Sequence, residues 1–273
     1  MKKVILVTGA SSGIGKDAAL QLIKEGHTVY GAARRVEKMQ DIIDVGGQAI
    51  QMDITIDEDI TTCVNKIIDE QGRIDVLVNN AGYAIYGSVE ETTIKDARRQ
   101  FEVNIFGLAR ITQLVTPQMR AQQSGTIINI SSVGGKIFTP MGAWYHATKH
   151  ALEGWSDCLR LELKPFGIDV VVVEPGAIAT EFGDVMTQPM VDRSGDGPYA
   201  EMVKMLVKAT QENYSKPGAS SPPSVISDVI SKAINSPKPK TRYAAGKWAK
   251  FLLFFRRYFS DRFFERLIMS QLK

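Results

Sequence analysis

Cysteine is scarce in this 273-residue chain: Cys63 and Cys158 are the only two, and neither stands in a metal-type or redox-type spacing. That argues against a disulfide scaffold or a metal site and for a reducing compartment. No apolar run approaches the ~20 residues of a membrane-spanning helix. There is no repeat and no low-complexity stretch. The first strand-like run opens at Val4, leaving no room for a signal peptide, so a cytoplasmic protein is expected. Charge is nearly balanced, 33 Lys and Arg against 30 Asp and Glu, which gives no reason to expect a nucleic-acid partner.

What is present is α/β alternation. Apolar runs at 4–8, 28–33, 48–52, 74–79, 126–131 and 169–174 read as strands, with a weak last strand near Thr241–Ala244. Helical spacing fills 57–70, 94–120 and 145–164. The expected fold is one doubly wound parallel sheet of Rossmann type, a single domain over 1–273. Residues 177–224 are rich in Gly, Pro and Met, with helical spacing only from about 199 to 214. An insertion there, after a strand's C-terminal end, is placed to be a substrate lid.

Three motifs carry chemistry. Gly9-Ala10-Ser11-Ser12-Gly13-Ile14-Gly15 follows the first strand and opens a helix, so its backbone can approach a pyrophosphate at the helix N-terminus. Tyr145 and Lys149 stand one helical turn apart, where an ammonium lowers a phenol's pKa and makes it a proton donor or acceptor near neutral pH. At the end of the second strand, the position where an NAD enzyme carries an acid is small and apolar, and Arg34 and Arg35 follow. Guanidinium groups suit a 2′-phosphate, so NADP(H) is expected, with Arg34 as main contact and Ser11 as second. Each residue also has a plain reading: a cap, a turn residue or a solvated arginine. His146 and His150 read as helix-surface residues.

In order along the chain stand Thr8-Gly9-x3-Gly13-x-Gly15, Asp53, Asn79-Asn80-Ala81-Gly82, Asn104, Asn129-Ile130-Ser131-Ser132, Tyr145-x3-Lys149 and Pro175-Gly176. The set resembles the short-chain dehydrogenase/reductase family over residues 4–180. The resemblance implies that Ser132, rather than Ser131, holds a substrate oxygen. It implies Tyr145 as general acid/base, Lys149 as its partner on the nicotinamide ribose, and Asn104 ordering a relay water. It implies further cofactor contacts at Ser12, Ile14, Asp53, Ile54, Asn80, Ala81, Gly82, Pro175, Gly176, Ile178 and Thr180. One departure is Ser12, where many NADP-linked relatives carry a basic residue.

Residues 238–273 carry ten Lys/Arg against two acids, a net of +8, so the rest of the chain nets −5. Eight aromatics lie among them from Trp248 to Phe264. This extension over 246–273 resembles the subgroup of 17β-hydroxysteroid, retinol and acyl-dihydroxyacetone-phosphate reductases, which implies a lipophilic carbonyl or alcohol substrate. Its spacing suits a peripheral membrane contact, and equally a helix packed on its own domain or a sister subunit. The resemblance also implies a homo-oligomer, a dimer or tetramer. The alternatives are a 3-oxoacyl reductase, disfavoured by the long tail, and a non-catalytic NADP-binding scaffold, disfavoured by the intact Ser132, Tyr145 and Lys149.

Overall fold

The structure is a computed structural model that describes residues 2–215 and 218–270. Residues 216–217 of the expected lid and 271–273 of the expected tail lie outside the described residues. Seven strands make one parallel sheet in the order β3-β2-β1-β4-β5-β6-β7. They are β1 (Val4–Thr8), β2 (Thr28–Ala33), β3 (Gln48–Gln51), β4 (Val76–Asn79), β5 (Gly125–Ile130), β6 (Ile168–Pro175) and β7 (Arg242–Ala245). The inner strands are continuous apolar runs because helices cover both faces. One core lies under α1 (Gly13–Lys24) and α9 (Ser224–Asn235), where Leu22, Ile226 and Ile230 are buried. The other lies under α3 (Asp57–Gln71) and α5 (Leu108–Ala121), where Ile60, Ile67 and Ile111 are buried. The strand order reverses between β1 and β4, so the crevice at their carboxyl ends opens there.

The remaining elements shape that crevice. α2 (Gln40–Asp44) flanks it at the β2 side. α4 (Ile94–Phe101) runs into a π-helical turn, Glu102–Gly107, before α5, and α6 (Ala143–Leu163) packs beside them. Sequence spacing over 94–120 reads as one helix. The break falls at Gly107, where a Cβ would strike the Ile54 backbone, so the glycine lets this helix approach the β3 loop.

The expected lid holds two helices. α7 (Phe182–Ser194) was not expected, because Pro189 and Gly183 read as breakers; the structure accommodates Pro189 inside the helix. α8 (Ala200–Ser215) follows. The tail forms a hairpin of α10 (Ala249–Tyr258) and α11 (Asp261–Ser270), anchored by buried Phe264 against Val133, Ile137 and Phe138.

Candidate active site

At the end of β1 the chain must turn sharply, and Gly9 takes φ +68 to do so. A Cβ on Gly15 would collide with Asn80 Nδ2 and the Gly9 carbonyl, so only glycine fits. Asn80 Nδ2 in turn donates to the Thr8 and Gly9 carbonyls at 3.0 and 3.2 Å. Thr8 Oγ1 accepts from the Asn80 and Ala81 N–H groups, each at 3.0 Å. Asn80 and Ala81 therefore brace the glycine turn from the neighbouring strand. Ser12 caps α1 in extended backbone without a side-chain bond to the helix. Ser12 and Gly13, at the N-terminus of α1 where the first N–H groups have no intrahelical partner, border a cleft of about 440 Å³ together with Ser11, Lys16, Asp41 and Glu181. Such a cradle fits a dinucleotide phosphate.

Of the two arginines after β2, Arg35 reaches this turn. Its Nη2 stands 3.4 Å from Ser12 Oγ and 3.9 Å from Glu181 Oε2. Arg34 is within electrostatic reach of Asp53 and Tyr83 instead. Burial works against the charged Asp53 carboxylate, but bonds from Thr55 N–H and Oγ1, with Arg34 and Arg99, outweigh it and lower its pKa. Ile54 is buried beside it.

Ser132 and Tyr145 meet around Gly134, beside His146. A Cβ on that glycine would stand 3.0 Å from Tyr145 Cε1 and 3.3 Å from Ser132 Oγ. The Ser132 Oγ accepts from the Gly134 N–H at 3.0 Å, which orients the hydroxyl. Ser131 points the other way, its Oγ crowding Gly135. Lys149 Nζ lies 6.0 Å from the Tyr145 ring centroid and donates to the Ile130 carbonyl at 2.9 Å. Burial lowers the Lys149 pKa to about 8, with the Glu153 charge opposing the shift. The amine still carries its proton at neutral pH and releases it at a lower pH than an exposed lysine would.

Asn104 lies in the π-helical turn. Its side chain is spent on structure: it accepts from Tyr83 N–H at 3.1 Å and donates to the Tyr83 carbonyl and Thr148 Oγ1 at 2.9 and 3.0 Å. Gly82 packs against it, a Cβ there falling 3.2 Å from Asn104 Oδ1.

After β6, Pro175 and Gly176 run beneath the chain that leaves β7. The Gly176 N–H donates to the Ala245 carbonyl at 2.8 Å, and a Cβ on Gly176 would strike the Lys247 carbonyl. Ala177 and Ala179 bracket a bridge to Ser221, which turns the Ile178 backbone groups to the opposite side. Thr180 lies over the glycine turn, its Cγ2 3.2 Å from where a Gly13 Cβ would be.

Two neighbours of the site were not singled out by the sequence. Tyr86 lies 6.0 Å from the Tyr145 ring, and Met141, at φ +61, joins Met190 of α7 and Val203 and Leu206 of α8 in an apolar cluster. The expected lid segment is tied down there: Arg193 donates to the Tyr86 carbonyl at 2.6 Å, and Ser194 Oγ accepts from Ser88 N–H at 3.1 Å. His146, expected on the helix surface, is only 6% exposed. It faces inward because it bridges the segment between Ser132 and α6, contacting Gly134 and Thr139. His150 is exposed, as expected.

Comparison with known proteins gives a consistent result. A family model described as short chain dehydrogenase matches residues 3–190. A 3-ketodihydrosphingosine reductase of Bacteroides thetaiotaomicron is 42% identical over 67% of this chain; the match spans 66% of that relative, just under two thirds of its length. An uncharacterized oxidoreductase of Bacillus subtilis, YusZ, is 33% identical across 99% of both chains. Among solved structures, a short-chain dehydrogenase from Streptomyces avermitilis superposes with a TM-score of 0.81 at 35% identity, over 98% of this chain and 96% of that one. A serine dehydrogenase complexed with NADP+ gives a TM-score of 0.76 at 28% identity, over 88% and 92%.

Proposed function

The chain is an oxidoreductase of the short-chain dehydrogenase/reductase family with a nicotinamide-binding fold, and on that premise we propose that it uses NADP(H) to interconvert a lipophilic carbonyl and its alcohol. The observation that carries the reading is the meeting of Ser132 Oγ and the Tyr145 ring around Gly134, with Lys149 Nζ 6.0 Å from that ring. In reduction, Ser132 holds the substrate oxygen and Tyr145 passes it a proton; in oxidation Tyr145 takes the proton back. The Lys149 ammonium eases that transfer by stabilising the phenolate. When bound, the cofactor supplies or accepts the hydride. The glycine turn and α1 would hold the cofactor's phosphates, and Asp53, Ile54, Ala81, Gly82, Ile178 and Thr180 would supply its remaining contacts. With its side chain occupied, Asn104 would hold a relay water through its backbone carbonyl.

NADP(H) rather than NAD(H) is supported by Arg35, which stands against Ser12 and Glu181 at the rim of the phosphate cleft. A lipophilic substrate is supported by the lid cluster of Met141, Met190, Val203 and Leu206 beside Tyr86, and the relative named for a ketone of a long-chain base is consistent with it. The test is NADPH oxidation against steroid, retinal, acyl-ketone and small-aldehyde panels, repeated with NADH. Tyr145→Phe should bind NADPH and lose turnover; retained turnover removes Tyr145 from the role, and a stronger response with NADH removes the arginine argument.

The same reading gives the tail hairpin a peripheral membrane contact. Phe251, Phe254, Tyr258, Phe259 and Phe263 are exposed among Lys250, Arg257, Arg262 and Arg266. No helix among the described residues is long and apolar enough to cross a membrane. Co-sedimentation with anionic liposomes, with and without Phe254→Ser and Tyr258→Ser, tests it; equal recovery rules it out. A homo-oligomer would use the exposed Ile94 and Phe106 beside Trp144, which light scattering at rising concentration would show.

A further inference from the structure

The charged groups around Lys149 come from several elements. α6 itself brings Glu153 one turn beyond the lysine, Asp157 and Arg160 further on, and His146 and His150 beside it. The turn after β5 brings Lys136, β6 brings Glu174 and β7 brings Arg242. Glu153 Oε2 pairs with Lys136 Nζ and Arg242 Nε at 3.0 Å each. Arg242 also pairs with Asp157 at 2.8 Å and with Glu174 at 3.5 Å. Asp157 is held in addition by Arg160 at 2.6 Å. Glu153 and Glu174 are 3% and 4% exposed. Burial, with the Glu153 charge beside it, pushes Glu174 up to about 7.

A plain account makes Arg242 a bolt between β7 and α6. Something is left over from it. Among the described residues Glu153 Oε1 and Ser131 Oγ are buried without a partner, and both residues crowd Gly135. A Cβ on that glycine would lie 2.8 Å from Ser131 Oγ and 2.9 Å from both Glu153 Cγ and the Lys149 carbonyl. One carboxylate oxygen thus stays outside the ion pairs, on a buried side chain one helical turn from the buried Lys149 and on the same face of α6. A buried ammonium sheds its proton unless an opposite charge stands near.

We propose that Glu153 is a positioning residue for the reaction, its carboxylate holding Lys149 in the charged form from one turn behind. The proposal rests on the reading of Tyr145 and Lys149 given above. Lys136 acts in the opposite sense, offsetting part of the Glu153 charge from the segment that carries Ser132. Reduction uses the site with both the phenol and the amine protonated. Removing an anion nearby makes the first of those protons leave at lower pH, whichever group gives it up.

The test compares Glu153→Gln, Glu153→Asp and Lys136→Met with the wild type. One measurement is the pH profile of NADPH-dependent reduction of a long-chain methyl ketone. The other is the titration of Lys149 by NMR in isotope-labelled-lysine protein, assigned with Lys149→Arg, which needs no substrate. Glu153→Gln should move both the alkaline limb and the Lys149 midpoint down by about one pH unit. Glu153→Asp, which keeps the charge, should restore most of it, and Lys136→Met should move both upward. If Glu153→Gln does not fold, the upward shift in Lys136→Met, whose side chain is more exposed, still decides. Falls in rate with no change of midpoint, or shifts of one sign for both partners, would overturn the proposal. An inactive wild type whose Lys149 midpoint still moves in these directions would fault the assigned reaction and leave the electrostatic role standing.

Discussion

His146 Nε2 accepts the Thr139 backbone N–H at 3.1 Å, which fixes the proton of the neutral ring on Nδ1, where it is donated to the Gly134 carbonyl at 2.8 Å. One imidazole thus spans both ends of the segment that presents Ser132 to Tyr145. Burial lowers its pKa below 6.5, partly offset by the Gly134 bond.

The neutral ring therefore contributes stability that is present above the unfolded pKa of about 6.5 and lost as pH falls toward the lower folded value. In His146→Leu the loss at neutral pH should be about 1–3 kcal/mol for the orphaned Thr139 and Gly134 groups. The gap in thermal stability between wild type and variant should narrow from pH 7 to pH 5. A gap that widens on acidification would show the ring to be protonated in the fold.

Gly134→Ala would place a methyl 3.0 Å from Tyr145 Cε1 and 3.3 Å from Ser132 Oγ. Both contacts are tighter than ordinary packing, so the two side chains must separate by a few tenths of an ångström. Turnover should fall by roughly 10- to 100-fold with the fold intact by circular dichroism. Unchanged kcat would place the reacting groups elsewhere.

Arg35 stands between Ser12 Oγ and the Glu181 carboxylate, so a 2′-phosphate and Glu181 compete for one guanidinium. Arg35→Ala should weaken NADPH by about tenfold or more and leave NADH nearly untouched. Glu181→Gln should tighten NADPH a few-fold. Fluorescence titration of the two cofactors reads both, and equal losses for NADPH and NADH would remove the phosphate contact.

Phe264 is fully buried and lies edge-on to Phe138 at 5.4 Å between ring centroids, with Arg256 over both rings. Phe264→Ala should cost about 3–5 kcal/mol locally and release α10 and α11. Limited proteolysis should then cut after Arg256 or Arg257 at protein concentrations where the wild type resists. Resistance in the variant would mean the hairpin is held by other contacts.

The sheet was legible because buried parallel strands are continuous apolar runs: six of the seven matched within about two residues of the spacing, and even the weak run near Tyr243 proved to be β7. The glycine turn and the Tyr145–Lys149 pair were legible because their spacing is local. His146 was not, since a polar residue on a helix reads as solvated until the segment it faces is placed. α7 was hidden by Pro189, and the break before α5 by the continuous spacing of 94–120. The Glu153–Arg242 pair was invisible because its partners lie 89 residues apart, and nothing local marks either as buried.

The hairpin's seat on Val133, Ile137 and Phe138 has a temporal side. During synthesis the stretch bearing Ser132 emerges from the ribosome long before Phe264 exists to cover it. Nascent chains must therefore carry an uncovered greasy notch beside Ser132, and chaperones or lipid would meet that notch first.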